Sequence, residues 1–272
     1  MLVPTLAGCL LALAITVPLA WKWELGVRRV AIATTGLALV AALGVAALTN
    51  SDAATIPRTA LVAAIALAAA FAILAYRFYR DPDRSAPEVP GDVVISPADG
   101  EVIYVRRSEG GLIPSSTKKG RDYELVELTR TPLRDKDAIV IGIAMSFLDV
   151  HVNRAPIAGK VRLRKHYPGR FGSLGRPEMV YENERATTVI ERDDLEIAIV
   201  QIASRLVRQI AAYVKVGENV ELGQRIGVIR LGSQVDVVLP ARPDIKVNVQ
   251  VGQHVRAGES VLALLETAPE SP

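Results

Sequence analysis

Two stretches decide the fold, VKVGENVELGQRIGVI (Val214–Ile229) and VQVGQHVRAGESVLAL (Val249–Leu264), because they are copies of one pattern. At an offset of 35, Val216, Gly217, Val220, Gly223 and Ile226 match Val251, Gly252, Val255, Gly258 and Val261. Each copy reads strand, Gly turn, short strand, Gly turn, strand. That pattern predicts two hairpin-like units packed as a flattened barrel or sandwich. Outward from the repeat, Val- and Ile-rich runs alternate with turn residues: DVVISPADGEVIYV from Asp92, DAIVIGIAMSFLDVHVNRAP from Asp137, GKVRLRKHY from Gly159, RATTVIER from Arg185 and LEIAIVQIA from Leu195. Runs of this length punctuated by Gly, Pro and Asp predict a mainly β domain. SPADGEVIYV begins a strand layer related to the repeat. QIASRLVRQIAAYV, from Gln201, fits a strand or a short helix equally by periodicity.

The N-terminal part is of another kind. Up to about residue 80 the chain is Ala, Leu, Val and Ile with few charges, in three stretches, Leu2–Ala20, Val30–Thr49 and Ala60–Tyr76. Each approaches the roughly 20 residues that a helix needs to cross a bilayer, the third being the shortest. MLVPT carries no Lys or Arg, so the first stretch lacks the basic start of a signal peptide and is expected to be retained. Lys22, Arg28 and Arg29 follow the first stretch, and Arg77, Arg80 and Arg84 follow the third. Both groups place the first connection and the C-terminal domain on the cytoplasmic side of the cell membrane. The expected organisation is a membrane anchor over 1–80, a Pro- and Asp-rich linker over 81–92, and a β-rich, carrier-like barrel or sandwich over 93–272. The last is the expected catalytic domain.

The single cysteine, Cys9, excludes a disulfide within the chain and a Cys-based metal site; no metal is expected. The net charge of +3 is explained by the membrane flanks, and no basic-aromatic platform for nucleic acid is evident. The strand–turn pattern also occurs in lipoyl and biotinyl carrier domains. Those need a lysine at a hairpin tip, which is missing here.

Candidate chemistry lies in polar residues that interrupt apolar runs. Asp99 ends a strand in SPADG, where a turn Asp before Gly is the ordinary reading. His151 sits in FLDVHVNRAP, with Asp149, His151 and Asn153 expected on one face of a strand. His254 occupies a repeat turn where its counterpart is Asn219, and reads as structural. Lys160 to Arg176 holds six Lys or Arg, no acid, and Tyr167 and Phe171. That run is a solvated strand face and loop or a surface resting on anionic headgroups, at about 1 kcal/mol per basic residue.

The ordered set FYRDPDR (Phe78–Arg84), SPADG (Ser96–Gly100), DVHVNRAP (Asp149–Pro156), NER (Asn183–Arg185) and LGSQVDVVLP (Leu231–Pro240) resembles the phosphatidylserine decarboxylase family, in its shorter bacterial and archaeal form. The resemblance implies that the chain cuts itself between Gly232 and Ser233. The Ser233 hydroxyl attacks the Gly232 carbonyl to give an ester. Elimination leaves dehydroalanine, which hydrolyses to a pyruvoyl group with loss of ammonia. The small and large chains then stay together as a heterodimer. The pyruvoyl group, a covalent cofactor, is implied to form an imine with the serine headgroup and accept the electrons released as CO2 leaves. His151 is implied as the acid-base residue and Asp99 as part of the self-cleavage machinery. Arg154, Arg170, Phe171, Asn183 and Arg185 are the candidates for substrate contact. Two positions depart from the family pattern. Arg154 stands where long members carry a second His, so either His151 serves both steps or Asp99 acts through water or another residue. Gln234 stands where the family has Thr.

The expected substrate is phosphatidylserine in the membrane, decarboxylated to phosphatidylethanolamine. An archaetidylserine decarboxylase acting on ether lipids is the alternative with the same chemistry, and a non-catalytic membrane adaptor with a carrier-like β domain is the alternative of another class.

Overall fold

The computed structural model describes residues 2–23, 25–49, 54–89, 91–114, 122–174, 176, 178–204, 210–229 and 233–266, and of Ser233 the backbone only. Two compact units result: residues 1–80 with 146–148, and residues 81–145 with 149–272.

The first unit holds α1 (Leu2–Lys22), α2 (Val27–Leu48) and α3 (Thr55–Tyr79), each long and apolar enough to cross a membrane. They overlap the three apolar stretches and extend them by up to five residues. Their mutual contacts are made mostly by small side chains, Ala12, Ala38, Ala41, Ala42 and Ala66, together with Val45 and Val62. Lipid is as apolar as Leu, so close backbone approach rather than hydrophobic exclusion holds such helices together. Thr34 adds a hydrogen bond to Thr16 at 3.1 Å. Segment 146–148 belongs to this unit: Phe147 stacks on Trp23 at 5.3 Å between ring centroids and meets Phe78 at 5.2 Å.

The second unit is built from β1 (Asp92–Ile95), β2 (Gly100–Arg107), β3 (Leu112–Ile113), β4 (Tyr123–Glu124), α4 (Leu125–Thr129), β5 (Ala138–Met145), β6 (Val152–Arg154), β7 (Gly159–Tyr167), α5 (Met179–Glu182), β8 (Arg185–Arg192) and β9 (Leu195–Ala203). It continues with β10 (Ile210–Ala212), β11 (Asn219–Val220), β12 (Arg225–Ile229), β13 (Ser233–Pro240), β14 (Ile245–Val247), β15 (His254–Val255) and β16 (Val261–Leu265). The stretch whose periodicity was ambiguous forms strand at both ends, β9 and β10, with 205–209 outside the described residues.

The main sheet has eight strands in the order β11-β7-β8-β9-β13-β5-β2-β15, accompanied by two three-stranded sheets, β1-β16-β14 and β6-β12-β10, and the small pair β3-β4. That order is symmetric about the β9–β13 contact. One half consists of β1, β2, β5 and β13 to β16; the other is β6 to β12. Main-chain hydrogen bonds repeat between halves: Gly252 N–H donates to Val102 O at 2.8 Å as Gly217 N–H does to Val161 O at 2.8 Å. Across the pseudo-axis, Ile95 N–H donates to Pro156 O at 3.0 Å and Arg154 N–H to Pro97 O at 2.9 Å. The repeat glycines have matching left-handed backbones, φ 89° and 87° at Gly217 and Gly252 and 77° and 79° at Gly223 and Gly258, which a Cβ would strain.

The sequence repeat is therefore the visible part of a larger duplication. Neither copy is a self-contained layer, as each lends one strand to the main sheet (β11, β15) and one to a small sheet (β12, β16). The half β6 to β12 is inserted, uninterrupted, between β5 and β13 of the other. Two joints result, 146–151 entering the insertion and, leaving it, the connection from Ile229 to Ser233, whose residues 230–232 lie outside the described residues.

Alternation along the central strands fills both faces of the main sheet. Ile139, Ile141 and Ile143 of β5, Ile197 and Ile199 of β9, and Val235 and Val237 of β13 join Val94, Ile157, Ile226 and Leu262 in the larger core. Val140, Ala198, Val200 and Val238 face α4 and α5, against Leu125, Leu128, Val180 and Tyr181. Each such Ile or Val contributes about 1.5–3 kcal/mol by burial.

Candidate active site

The two joints carry the residues singled out in the sequence. The first holds Asp149 and His151. They lie in the loop before β6, not on a strand, so the face shared with Asn153 does not form; β6 begins only at Val152. His151 is buried, 2% exposed, and its Nδ1 lies 2.8 Å from the carbonyl oxygen of Asp149. A carbonyl only accepts, so Nδ1 carries the proton in the neutral ring and Nε2 keeps the lone pair. Burial pushes the His151 imidazole below its ordinary value, partly offset by the Asp149 carbonyl and by the charges of Asp149 and Asp99.

The second joint has both ends fixed. On one side the Ile229 N–H donates to the His151 carbonyl at 3.1 Å. On the other, Ser233 opens β13 in register with Met145 at the end of β5 and Ala203 at the end of β9. Between these points the chain passes from the β6-β12-β10 sheet to the main sheet. Gly232 lies in this stretch, outside the described residues.

Asp99, at the β1–β2 turn, is 3% exposed. Its Oδ1 accepts from Arg84 Nη1 at 2.5 Å and from the Ala257 N–H at 2.7 Å; its Oδ2 accepts from Arg84 Nη2 at 2.9 Å and from the Val150 N–H at 3.4 Å. Burial alone would raise its pKa. The Arg84 guanidinium and the two amides outweigh that and hold the carboxyl below the usual range. Asp99 is thus an ionised anchor for the joint that carries His151.

The expected substrate contacts occupy different places. Arg154 is buried and donates to Gly223 O at 2.9 Å and Pro82 O at 2.8 Å, so it straps the segment after Arg80 to the β domain. Arg225 strengthens that strap through Asp81 at 2.6 Å and Asp83 at 2.8 Å. Arg185 directs its guanidinium at main-chain carbonyls, including Leu128 O at 2.8 Å at the end of α4; burial pushes it down to about 10. Asn183 bonds both main-chain groups of Gly172, at 2.7 and 2.9 Å, and donates to Ala203 O at 2.9 Å, beside the start of β13. It thereby ties the loop holding Arg170 and Phe171 to the end of the strand that pairs with Ser233. Both of those side chains are exposed, with Arg170 3.1 Å from Glu182.

Three features escaped the sequence. Arg84, read as a membrane flank and as the last residue of FYRDPDR, pairs with Asp99 in the β domain. His254, read as structural, brings Nε2 to 3.2 Å from Asp149 Oδ1. Asp236, two residues into β13 from Gln234, is fully buried and accepts from Tyr104 Oη at 2.8 Å and Gln234 Nε2 at 2.7 Å. Burial pushes it up to about 6. The strict alternation of β13 foreshadows the last, since Gln234 and Asp236 share a face.

Comparison with known families bears on this geometry. A model of the family "Phosphatidylserine decarboxylase" matches residues 71–263. The chain belongs to the phosphatidylserine decarboxylase family. Among its relatives, one named "Putative archaetidylserine decarboxylase proenzyme" from Methanothermobacter thermautotrophicus is 42% identical over 195 residues, 71% of this chain and 82% of that protein. Its namesake from Methanocaldococcus jannaschii is 40% identical over 190 residues, 70% and 89% of the two chains. A protein named "Phosphatidylserine decarboxylase proenzyme" from Ralstonia nicotianae is 36% identical over 197 residues, 71% and 80%. The family match starts at residue 71, so the first two helices lie outside it. The membership expected from the ordered motifs is borne out, as are the three apolar helices and the mainly β domain.

Proposed function

We propose that this protein is a membrane-anchored decarboxylase of serine phospholipids, made as a proenzyme that cuts itself between Gly232 and Ser233. The observation that carries the reading is the second joint. The described chain on either side of the Gly-Ser step is held, with Ile229 bonded to His151 before it and position 233 paired to two strands, while Gly232 itself lies outside the described residues. After a cut, the new terminus keeps both strand partners.

The pyruvoyl group of the family fits a position held in this way. When formed, it supplies a carbonyl that withdraws the electrons left by departing CO2. The residues of the chain do the rest. The buried His151 Nε2 takes the hydroxyl proton of Ser233 during cutting and passes it to the departing amine nitrogen, and in each later turnover it gives a proton to the substrate carbon. Asp99 keeps the His151 joint in place. Of the alternatives left by Arg154, its engagement as a strap supports the one in which a single imidazole serves both steps. Phe171 and Arg170, on the loop that Asn183 fixes beside Ala203, are the surface offered to the headgroup. The three helices hold the β domain at the bilayer. The basic residues after α1 and α3 orient it to the cytoplasm. The cut chains remain a heterodimer.

Mass spectrometry of the purified protein tests the proposal. A fragment covering 233–272 with a keto group at its N-terminus, absent from Ser233→Ala, is expected. A single intact chain in active membranes would refute it. A second substrate is raised by the two relatives named for archaetidylserine, 42% and 40% identical, beside relatives named for phosphatidylserine at up to 39%. Turnover of diacyl and of archaeol-type serine lipids, compared side by side, separates the two.

A further inference from the structure

We propose that Arg84 is a positioning residue for self-cleavage and decarboxylation. Its guanidinium holds the Asp99 carboxylate so that Asp99 fixes, through the Val150 amide, the joint carrying His151. This rests on the roles proposed above for Ser233 and His151.

The pair is bidentate, at 2.5 and 2.9 Å, and both side chains are at most 7% exposed. Fork-on-fork geometry of this kind sets direction as well as strength. Arg84 Nη1 also donates to Ala257 O at 2.7 Å, and Arg84 Nε lies 3.5 Å from Glu259 Oε1. Asp99 in turn accepts from the amides of Ala257 and Val150. The two side chains therefore fasten three pieces of backbone together: the segment after α3, the β15–β16 turn and the entry joint of the insertion.

The duplication supplies an internal control. The inserted half builds the equivalent turn, between β6 and β7, with Ala158 in the place of Asp99. Its main-chain bond is nonetheless the same: Gly223 N–H donates to Ala155 O at 2.9 Å, as Gly258 N–H does to Ser96 O at 2.8 Å. The fold thus forms this turn without a carboxylate. What distinguishes the Asp99 copy is its neighbour, the loop with His151. A carboxylate buried there without its cation protonates or turns to water, and the Val150 amide loses its acceptor.

The test follows the cutting of freshly synthesised full-length chain in lipid vesicles, for wild type, Arg84→Ala and Arg84→Lys. The extent of folding of each is read from its thermal melt. Loss of one charge-assisted contact set is expected to slow cutting about tenfold or more in Arg84→Ala. Lysine restores part of the rate, because one ammonium cannot bridge both oxygens. Guanidinium added at millimolar concentration restores Arg84→Ala further. In the matured fraction kcat falls while KM for the lipid stays. Cutting of Arg84→Ala at the wild-type rate would overturn the proposal. So would slow cutting that neither lysine nor guanidinium relieves, which is the mark of a folding defect. An uncut wild-type chain would instead remove the reading of Ser233 on which it stands.

Discussion

At the scale of single residues, His151 is the most exacting part of the site. Its ring is buried, its proton is fixed on Nδ1 by a carbonyl, and its pKa is depressed chiefly by burial. Replacing it with alanine is expected to cost about 10²–10⁴-fold in decarboxylation, measured on chain that has already matured. The rate of cutting by that variant reports whether the same imidazole serves maturation. The pH dependence has a definite sign. A base held below the ordinary imidazole value stays active down to lower pH, so the acid limb of the cutting rate is expected below about 6.5. An acid limb above that value would show that another group is titrating. Asp236 makes an opposite prediction, for stability. Its folded pKa is pushed up to about 6 by burial, against about 3.9 in the unfolded chain. The folded state then binds the extra proton, and stability falls as pH rises between those values. Asp236→Asn keeps partners for Tyr104 and Gln234 and should flatten that slope in thermal unfolding across pH 4 to 7.

At the scale of elements, β5 and β13 fix position 233, which pairs with Met145. A Cβ at Gly142 would clash with the ring of Tyr104, whose hydroxyl bonds Asp236 on the neighbouring strand. Gly142→Ala is accordingly expected to destabilise the β domain by about 1–3 kcal/mol, seen as a lowered denaturation midpoint. Much of this level was legible from the chain. The β-rich character, the Gly turns of the repeat and the apolar helices all follow from local periodicity. Asp99 and His151 were likewise visible as interruptions of apolar runs, whereas Ser233 was reached only through the resemblance carried by LGSQVDVVLP. What escaped is non-local. Arg84 lies 15 positions from Asp99 across a Pro-rich segment, His254 lies 105 positions from Asp149, and no spacing rule brings either pair together. The wider duplication escaped for the same reason. β2 and β7 share little sequence, and only their hydrogen-bond partners reveal the match. The strand proposed for Asp149–His151 failed because the joint between halves has to turn, whatever its residues favour.

At the scale of the whole molecule, charge is thinner than the sequence suggests. Of the six basic residues from Lys160 to Arg176, Arg162 pairs with Glu196 and Arg170 with Glu182. Lys160, Lys165 and Arg176 remain exposed. Attraction of an anionic headgroup is therefore expected to be modest and salt-sensitive, with KM rising severalfold between low and physiological ionic strength, where screening sets in over about 8–10 Å. A KM indifferent to salt would assign recognition to buried contacts instead.

The sheet order carries one more consequence. Of the strands after position 233, β13 is clasped between β5 and β9, β15 lies along β2, and β16 lies between β1 and β14. A severed piece of that kind is woven into its host and leaves only if the host melts. The proposed cut would also delete the covalent thread by which the strands found one another. If the proposed cut occurs, its two chains are expected to withstand dilution without separating, yet to fail to regain activity after denaturation, whereas uncut Ser233→Ala chain refolds. Assembly would be remembered by the precursor and forgotten by its product.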